Sequence, residues 1–323
     1  MTSSLTSPYV VTPQVSIGSG FDSHSTAKDV LAGCDLHGVV AIVTGGYSGV
    51  GLEITRALAE AGATVVVPAR TPAKARAATT GIPHVELEQL ELSDPVSIDS
   101  FASRYLATNR PLQILINNAG IMAPPLTRDA RGYESQFAVN HLGHFQLTAR
   151  LWPMLKRAGH ARVVSVSSTG IRFGGVIFDD PNFEGHPYDK WRAYGQSKTA
   201  NALFAVALDR HGQPDGVRAF AVHPGRVLTD LARFLDEKEL ATGGYSSAEQ
   251  GAATSVWCAT SAQLDGKGGV FCMNVDIAPV MTHFSLSGTS QILTGVLPWA
   301  INPELATRLW HLSEQLTGVA FPD

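Results

Sequence analysis

Cysteine is scarce in this chain of 323 residues, and its scarcity excludes two kinds of stabilising site. The three cysteines, Cys34, Cys258 and Cys272, are odd in number, far apart and without CxxC spacing. Such a set supports neither a disulfide framework nor a zinc site, and it favours a reducing compartment. We therefore assign no metal to the chain.

Blocks of like charge and long apolar runs are also missing. The net charge is −4, and no run of Lys and Arg offers a surface for nucleic acid or an anionic membrane. No stretch approaches the roughly 20 apolar residues that span a bilayer, and residues 1–20 lack the basic and apolar segments of a signal peptide. We expect a cytoplasmic protein that acts on a small molecule.

What is present, from residue 39 onwards, is an alternation of β-branched runs and helical patterns. Strands are expected at 39–43, 65–67, 85–90, 113–116, 162–167, 218–222 and 269–271, and the clearest helices at 135–157 and 191–210. The alternation predicts βαβ units. The expected fold is therefore α/β and doubly wound (Rossmann), a single domain with a mostly parallel, seven-stranded sheet and helices on both faces. Ligands of this architecture bind at the carboxyl ends of the strands.

The two ends of the chain differ from this central pattern. Residues 1–36 form a polar extension that we expect to pack on the surface or to stay partly mobile. Residues 37–323 are expected to form the domain, with a substrate flap at about 226–250 and a closing segment at about 280–318. The last helix is predicted at 302–318, with Asn302 as its N-cap, Pro303 in its first turn and Gly318 at its end.

A glycine-rich turn links the first strand to the first helix. In Thr44-Gly45-Gly46-Tyr47-Ser48-Gly49-Val50-Gly51 the glycines have GxxxGxG spacing. The first permits a sharp turn, the second lets the backbone approach a pyrophosphate, and the third lets helix and sheet touch. Because a helix N-terminus attracts phosphate, we predict dinucleotide binding here. The alternative is a tight turn that binds nothing.

Tyr194 and Lys198 lie four residues apart on a predicted helix and share one face. A phenol with its ordinary pKa of about 10 is a poor base at neutral pH, and a nearby ammonium lowers that pKa by stabilising the phenolate. The pair suits proton transfer to a carbonyl oxygen, although such a pair alone is more often a solvated face. Ser168 after the fifth strand and Asn140 inside the preceding helix favour the chemical interpretation.

Together these residues resemble the short-chain dehydrogenase/reductase family. The matching pieces are the glycine turn 44–51, Asn117-Asn118-Ala119-Gly120, Asn140, Ser168, Tyr194 with Lys198, and Pro224-Gly225, and the resemblance covers about 39–275. Phe178-Asp179-Asp180 and the segment 193–204 are similar to bacterial-type members of the retinol-dehydrogenase and WW-domain-oxidoreductase-like branch. The resemblance implies hydride transfer between a nicotinamide cofactor and a carbonyl or secondary alcohol.

The same resemblance implies roles for individual residues. Tyr194 would exchange the proton, and Lys198 would lower its pKa and bind the nicotinamide ribose. Ser168 would hold the substrate oxygen, with Ser167 as the fallback, and Asn140 would kink its helix and anchor a water. The cofactor would contact Gly45, Tyr47, Ser48, Gly49, Val50, Gly51, Arg70, Glu91, Leu92, Asn118, Ala119, Gly120, Tyr194, Lys198, Pro224, Gly225, Val227 and Thr229.

The end of the second strand bears on the choice of cofactor. Relatives that prefer NAD resemble one another in having an acidic residue there, whose carboxylate accepts from the ribose 2′-OH. Here that position is Ala69, and Arg70 follows. A guanidinium offers a 2′-phosphate a planar fork of donors, whereas a carboxylate would repel it. We expect NADP(H); the alternative is that Arg70 is an ordinary exposed loop arginine.

Other features leave alternatives open. His141 and His144 have a spacing that a metal can use, but histidines satisfied within a helix are more common. Arg226 can contact a substrate carboxylate, the cofactor or solvent. The apolar stretches at 227–235 and 292–301 either line a pocket for a bulky apolar ketone or aldehyde, guided by Ser168, Tyr194 and Arg226, or only seal the core.

Three other functions share parts of this pattern. A catalytically silent NADP(H)-binding regulatory protein would keep the glycine turn and lose the Tyr/Lys pair. A sugar-nucleotide epimerase or dehydratase of the extended branch has a TGxxGxxG turn, whereas this chain has the classical spacing. An enoyl reductase would separate Tyr and Lys by six residues instead of three. The chain fits an NADP(H)-dependent oxidoreductase better than any of them. We expect a homodimer or homotetramer through the helices at 135–157 and 191–210, unless the terminal additions cover one of those faces.

Overall fold

An eight-stranded sheet in the order β3-β2-β1-β4-β5-β6-β7-β8 runs through the computed structural model of the chain, which describes residues 9–241, 244–282 and 293–322. The strands are β1 (Val40–Val43), β2 (Thr64–Ala69), β3 (Val85–Gln89), β4 (Ile114–Asn117), β5 (Ala161–Val166), β6 (Val217–Val222), β7 (Val270–Met273) and β8 (Asp276–Ile277). The seven predicted strands are parallel. The eighth, an antiparallel partner of β7, was not predicted because its two residues are too few to show a periodic pattern.

Burial explains why the sequences of the central strands are continuous apolar runs. Every residue of β1 and β4 is buried, as expected for parallel strands that are covered on both faces. The edge strand β3 is half exposed and carries Glu86 and Glu88, which pair with Arg110 and Arg104. Charges on an edge strand discourage pairing with another chain.

The helices lie on both faces of the sheet. They are α1 (Ala27–Val30), α2 (Gly49–Glu60), α3 (Pro72–Ala78), α4 (Pro95–Ala107), α5 (Ser135–Phe137), α6 (Gly143–Ala158), α7 (Lys190–Gly212), α8 (Glu237–Leu240), α9 (Ala248–Thr260) and α10 (Pro303–Thr317). Ile42 of β1 packs in one apolar cluster with α4, α6 and α7, and its neighbours Ala41 and Val43 pack in a second with α2 and α9. The doubly wound α/β fold is therefore confirmed.

The order of the strands creates a crevice between β1 and β4. The chain runs outward from β1 through β2 to β3, and it then returns to β4 on the other side of β1. The loops that follow β1 and β4 therefore leave in opposite directions, and a ligand can enter between them.

The N-terminal extension packs on the end of the sheet formed by β7 and β8. The Gln14 amide donates to the Phe271 carbonyl at 2.7 Å and to the Ala278 carbonyl at 2.6 Å, and it accepts from the Phe271 N–H at 2.9 Å. Tyr9 donates to the buried Asp209 carboxylate at 3.1 Å. Residues 1–8 lie outside the described residues. The division into an extension of 36 residues and a domain stays a prediction.

The last predicted helix is present with the predicted ends. Asn302 accepts from the backbone of Glu304 and Leu305 at 2.9 Å each, and Gly318 ends the helix in the left-handed region at φ 67°. Its buried Ala306 and Leu309 pack against α7.

The apolar stretch before that helix belongs to the core. Leu293, Val296 and Leu297 are buried in the cluster formed with α4, α6 and α7, so they seal the core and do not line a cleft. Residues 283–292 of the expected closing segment lie outside the described residues. Of the two alternatives left open for 292–301, the described part of this stretch supports core packing.

A buried ion pair between Asp209 of α7 and Arg218 of β6 connects these two elements. Its carboxylate is fully buried and accepts from Arg218 at 2.8 Å and 2.9 Å. Asp209→Asn should lower the free energy of unfolding by about 3–5 kcal/mol, because it leaves a buried guanidinium without its charge partner. The control Glu88→Gln removes an exposed pair with Arg104 and should lower it by no more than about 1 kcal/mol. Urea denaturation measures both, and equal losses would contradict this account.

Candidate active site

The carboxyl ends of four neighbouring strands meet at one cleft of about 940 Å³. Thr44 follows β1, Asn118 follows β4, Ser168 follows β5 and His223 follows β6, and all four line the cleft. Residues of α7 and of the segment after β6 complete the lining. Every residue predicted to contact the cofactor lines this cleft, and of the predicted catalytic residues only Asn140 lies behind it.

The glycine turn needs glycine because of its backbone conformation and its close packing. Gly45 and Gly49 have φ of 65° and 50°, a region that favours glycine. A Cβ at Gly49 would lie 2.8 Å from the Thr229 methyl, and one at Gly51 would overlap the Asn118 side chain and the Gly45 carbonyl. The start of α2 lines the cleft, and its N-cap Ser48 makes no side-chain cap hydrogen bond, so this helix N-terminus is available to an anionic ligand.

Thr44 clamps the turn to the loop after β4. Its hydroxyl accepts from the backbone N–H groups of Asn118 and Ala119 at 2.9 Å and 3.0 Å, and the Asn118 amide donates back to the Thr44 carbonyl at 2.9 Å. Sequence reasoning gave Thr44 no role of its own. The signal was its position directly before the first glycine of the turn.

Asn140 lies in a π-helical turn, Ala138–Leu142, between α5 and α6. Its Oδ1 accepts from the Ile121 N–H at 2.8 Å, and its Nδ2 donates to the Ile121 carbonyl and to the Ser197 hydroxyl at 2.9 Å each. Such π-turns are frequent at functional sites. The buried amide therefore joins the loop after β4 to helix α7, and its role in anchoring a water stays a prediction.

His144 extends this network to the glycine turn. Its Nδ1 lies 3.0 Å from the Asn140 carbonyl and its Nε2 lies 2.9 Å from the Thr44 hydroxyl. Burial lowers the pKa of His144 to about 4, so the ring is neutral at physiological pH. A neutral ring that donates to a carbonyl through Nδ1 must accept through Nε2, so the Thr44 hydroxyl donates to it.

His141 and His144 are buried and contact other groups of the chain. His141 Nε2 lies 2.7 Å from the Ser313 hydroxyl, which joins α10 to the π-turn. Both nitrogens of His144 have partners within the chain. Across residues 9–241, 244–282 and 293–322, no group of three or more His, Cys, Asp or Glu side chains could hold a metal ion.

Tyr194 and Lys198 are almost fully buried, at 4% and 3% exposure. Burial raises the pKa of Tyr194 to about 12, against a smaller lowering by a hydrogen bond with Ser168, and burial lowers the pKa of Lys198 to about 8. The Lys198 ammonium donates to the Val166 carbonyl at 3.0 Å and lies 5.8 Å from the centre of the Tyr194 ring. Burial, rather than the ammonium, sets the direction of the phenol's pKa shift.

The two serines after β5 have different surroundings. The Ser167 hydroxyl is buried and donates to the Lys198 carbonyl at 2.6 Å. The Ser168 hydroxyl accepts from the Gly170 N–H at 2.9 Å, and it also hydrogen-bonds Tyr194. Ser168 is therefore the serine beside the phenol, whereas Ser167 supports the backbone of α7.

Two cations lie near the end of β2. Arg70 is 74% exposed, and its Nε lies 3.6 Å from a Glu91 carboxylate oxygen. Lys74, four residues later, lines the same cleft and lies 3.5 Å from the Asp230 carboxylate. Sequence reasoning missed Lys74, whose signal was its place in the first turn of the helix that follows Arg70.

The segment after β6 crosses the cleft as a flap. Glu239 of α8 lies 2.8 Å from the Lys190 ammonium, and it accepts from the Trp191 indole at 2.8 Å. Both partners begin α7, so these contacts hold the flap against that helix. Residues 242 and 243 of the expected flap lie outside the described residues.

Most of the apolar residues that the spacing of the flap predicted to face inward do line the cleft. Val227, Leu228, Leu231 and Leu235 line the cleft, although Leu228 is 55% exposed, and Phe234, which is 40% exposed, does not line it. Thr229 caps a 3-10 turn at Asp230–Ala232, which interrupts the helical spacing.

Comparison with known proteins agrees with this geometry. The family model for short chain dehydrogenase matches residues 39–240. A "Probable oxidoreductase" of Streptomyces lividans is 43% identical over 297 residues, covering 86% of this chain and 97% of that protein. "Retinol dehydrogenase 12" of Homo sapiens is 37% identical over 294 residues, with 88% of each chain covered.

A crystal structure of a protein from Mycobacterium paratuberculosis has the same fold. Its TM-score is 0.73 and its identity 34%, with 93% of this chain and 100% of that chain covered. The matched family model spans most of the sheet and all four predicted catalytic residues. The chain thus belongs to the short-chain dehydrogenase family and is an oxidoreductase.

Proposed function

We propose that the chain is an NADP(H)-dependent oxidoreductase that interconverts a carbonyl compound and an alcohol, in the direction of reducing a bulky apolar ketone or aldehyde. One observation carries the proposal. The Tyr194 phenol, beside Ser168, lines the same cleft as the glycine turn that fits a phosphate. When bound, NADPH supplies the hydride, and the residues of the chain supply and receive the proton.

The surroundings of Tyr194 suit it to act as an acid. Because burial raises its pKa to about 12, the phenol stays protonated at neutral pH and can donate to a carbonyl oxygen. The Ser168 hydroxyl would hold the same oxygen. After proton transfer, the nearby Lys198 ammonium stabilises the phenolate that remains.

The cofactor residues divide by the part of the dinucleotide that they would hold. The glycine turn and the start of α2 would bind the pyrophosphate, and Asn118 to Gly120 would line the adenine-ribose side. Glu91 would face the adenine amine, although its carboxylate also accepts from Ser93 at 2.9 Å and 3.1 Å. Arg70, with Lys74, would hold the 2′-phosphate that distinguishes NADP(H).

Assembly and location stay predictions. Helix α10 packs on α7, so it covers part of one helix expected at a homodimer or homotetramer interface. None of the described helices is both long and apolar enough to cross a membrane. We retain cytoplasmic location and homo-oligomerisation as expectations, which fractionation and light scattering would test.

Tyr194→Phe should lower kcat for ketone reduction by ~10²–10⁴-fold, because it removes the acid that donates to the carbonyl oxygen. NADPH affinity should hardly change, as measured by quenching of protein fluorescence. A variant that kept most of its turnover would show that another group transfers the proton. A wild-type chain that bound NADPH but reduced no carbonyl in a broad panel would instead support the silent regulatory protein.

Ser168→Ala should shift the pH profile of alcohol oxidation towards higher pH. The Ser168 hydrogen bond lowers the pKa of Tyr194, so its loss raises that pKa, and the phenolate needed as base forms only at higher pH. The control Ser167→Ala removes a hydroxyl that contacts the Lys198 backbone and should leave the midpoint in place. A shift in Ser167→Ala alone would transfer the role to that serine.

Arg70→Ala should raise KM for NADPH by roughly 10–100-fold, the effect of losing charge-assisted hydrogen bonds of about 1.5–3 kcal/mol. KM for NADH, which has no 2′-phosphate, should change far less. Arg76→Ala is the matched control, since Arg76 is exposed on α3 and does not line the cleft. A wild type that preferred NADH would refute the cofactor assignment.

A further inference from the structure

Two arginines line the cleft beside the reacting groups and have no part in the proposed proton transfer. Arg172 lies in the 3-10 turn Thr169–Phe173, which begins directly after Ser168. Arg226 follows Pro224-Gly225 at the end of β6. Both side chains are half-buried, so the cleft has two cations on the substrate side, where the sequence suggested only Arg226.

Each guanidinium lies over an aromatic ring. Arg172 lies 4.7 Å from the centre of the Phe173 ring, and Arg226 lies 5.1 Å from that of Tyr245. The Arg226 carbonyl also accepts from the Ser246 N–H at 2.8 Å, which fixes the backbone of this segment. Stacking restricts both side chains before a ligand arrives, so less conformational entropy is lost on binding.

The two charges act on one buried ring, His223, whose Nδ1 accepts from the Thr169 N–H at 3.3 Å. Burial and then the charges of Arg172 and Arg226 lower the pKa of His223 to about 4. Burial and then the charge of Arg226 also lower the pKa of Arg172. Because β5 and β6 are neighbouring strands, the loops that carry Arg172 and Arg226 are also neighbours, and both guanidinium groups line the same cleft, so one anion there is attracted by both charges.

The other charged residues of the cleft do not reverse this potential. Arg233 and Lys238 add positive charge. Four acidic side chains line the cleft, and each has a partner elsewhere: Glu91 lies beside Arg70, Asp230 beside Lys74, Glu239 beside Lys190, and Asp236 caps α8 by accepting from the Glu239 N–H at 2.9 Å. The substrate side of the cleft is thus electropositive.

We propose that Arg172 and Arg226 bind a carboxylate of the substrate, so that the substrate is a keto acid, or the matching hydroxy acid, with an apolar body. A carboxylate matches the donor fork of a guanidinium. Phe173, Trp191 and Leu235 line the same cleft and provide the apolar surface. This inference rests on the proposed carbonyl chemistry and adds to it the anionic group.

Matched substrates test the carboxylate. We would compare 4-oxo-4-phenylbutanoate with its methyl ester, together with homologues in which the carboxylate is one to four carbons from the carbonyl. Wild-type kcat/KM should favour the acid by roughly 10–100-fold at the best length. Arg172→Gln and Arg226→Gln should each reduce this acid-to-ester ratio at least about tenfold, mainly through KM. The control Arg76→Gln should leave the ratio unchanged.

Three results would overturn the inference. They are an acid-to-ester ratio of one or less at every length, equal losses for acid and ester in both arginine variants, and a rise of the NADPH Kd in those variants, which would assign the arginines to the cofactor.

A binding measurement separates this inference from the proposed function. By titration calorimetry, wild-type protein saturated with NADP⁺ should bind 4-phenylbutyrate more tightly than 4-phenylbutyramide, and Arg172→Gln should abolish the difference. If no carbonyl were reduced but this difference were seen, the carbonyl chemistry would fail and the carboxylate site would stand. Equal binding of acid and amide by the wild type would refute the site.

Discussion

The Asn140 side chain hydrogen-bonds both backbone groups of Ile121 and the Ser197 hydroxyl, and the rest of the site depends on this buried amide. Through its own carbonyl, Asn140 also holds His144, which in turn contacts Thr44. One connected network therefore sets the glycine turn, the loop after β4 and helix α7 relative to one another. Because buried polar groups are costly when unpaired, the network tolerates little displacement of any member.

Burial shapes the chemistry as much as contact does. It raises the pKa of Tyr194 and lowers those of Lys198 and His144, so each of these groups is shifted away from its charged form. Lys198, with a pKa of about 8, still carries its charge at neutral pH, and further cations lie at the two ends of the cleft, with Arg70 on one side and Arg172 and Arg226 on the other. This distribution of positive charge is consistent with a substrate and a cofactor that both carry negative charge.

Features that depend on neighbouring residues in the chain were predictable. The glycine turn is recognisable because of spacing within eight residues, and Tyr194 and Lys198 share a face because of the helical repeat. Helix α10 begins at Asn302 and ends at Gly318 through local capping. The strands were predictable where they are buried on both faces. The two-residue β8 and the break in the flap at Thr229 were not, because neither produces a periodic signal.

By itself the sequence determined the doubly wound fold and the family, and it predicted the residues that we propose to react, since these follow from local patterns in a fixed order. Only the tertiary structure decided which serine faces Tyr194, which direction the pKa of that phenol takes, and that Arg172 joins Arg226. Arg172 and Arg226 are 54 residues apart in the chain and belong to different βα loops. The physical reason is that burial and charge–charge energies depend on distances in space, which spacing along the chain does not contain.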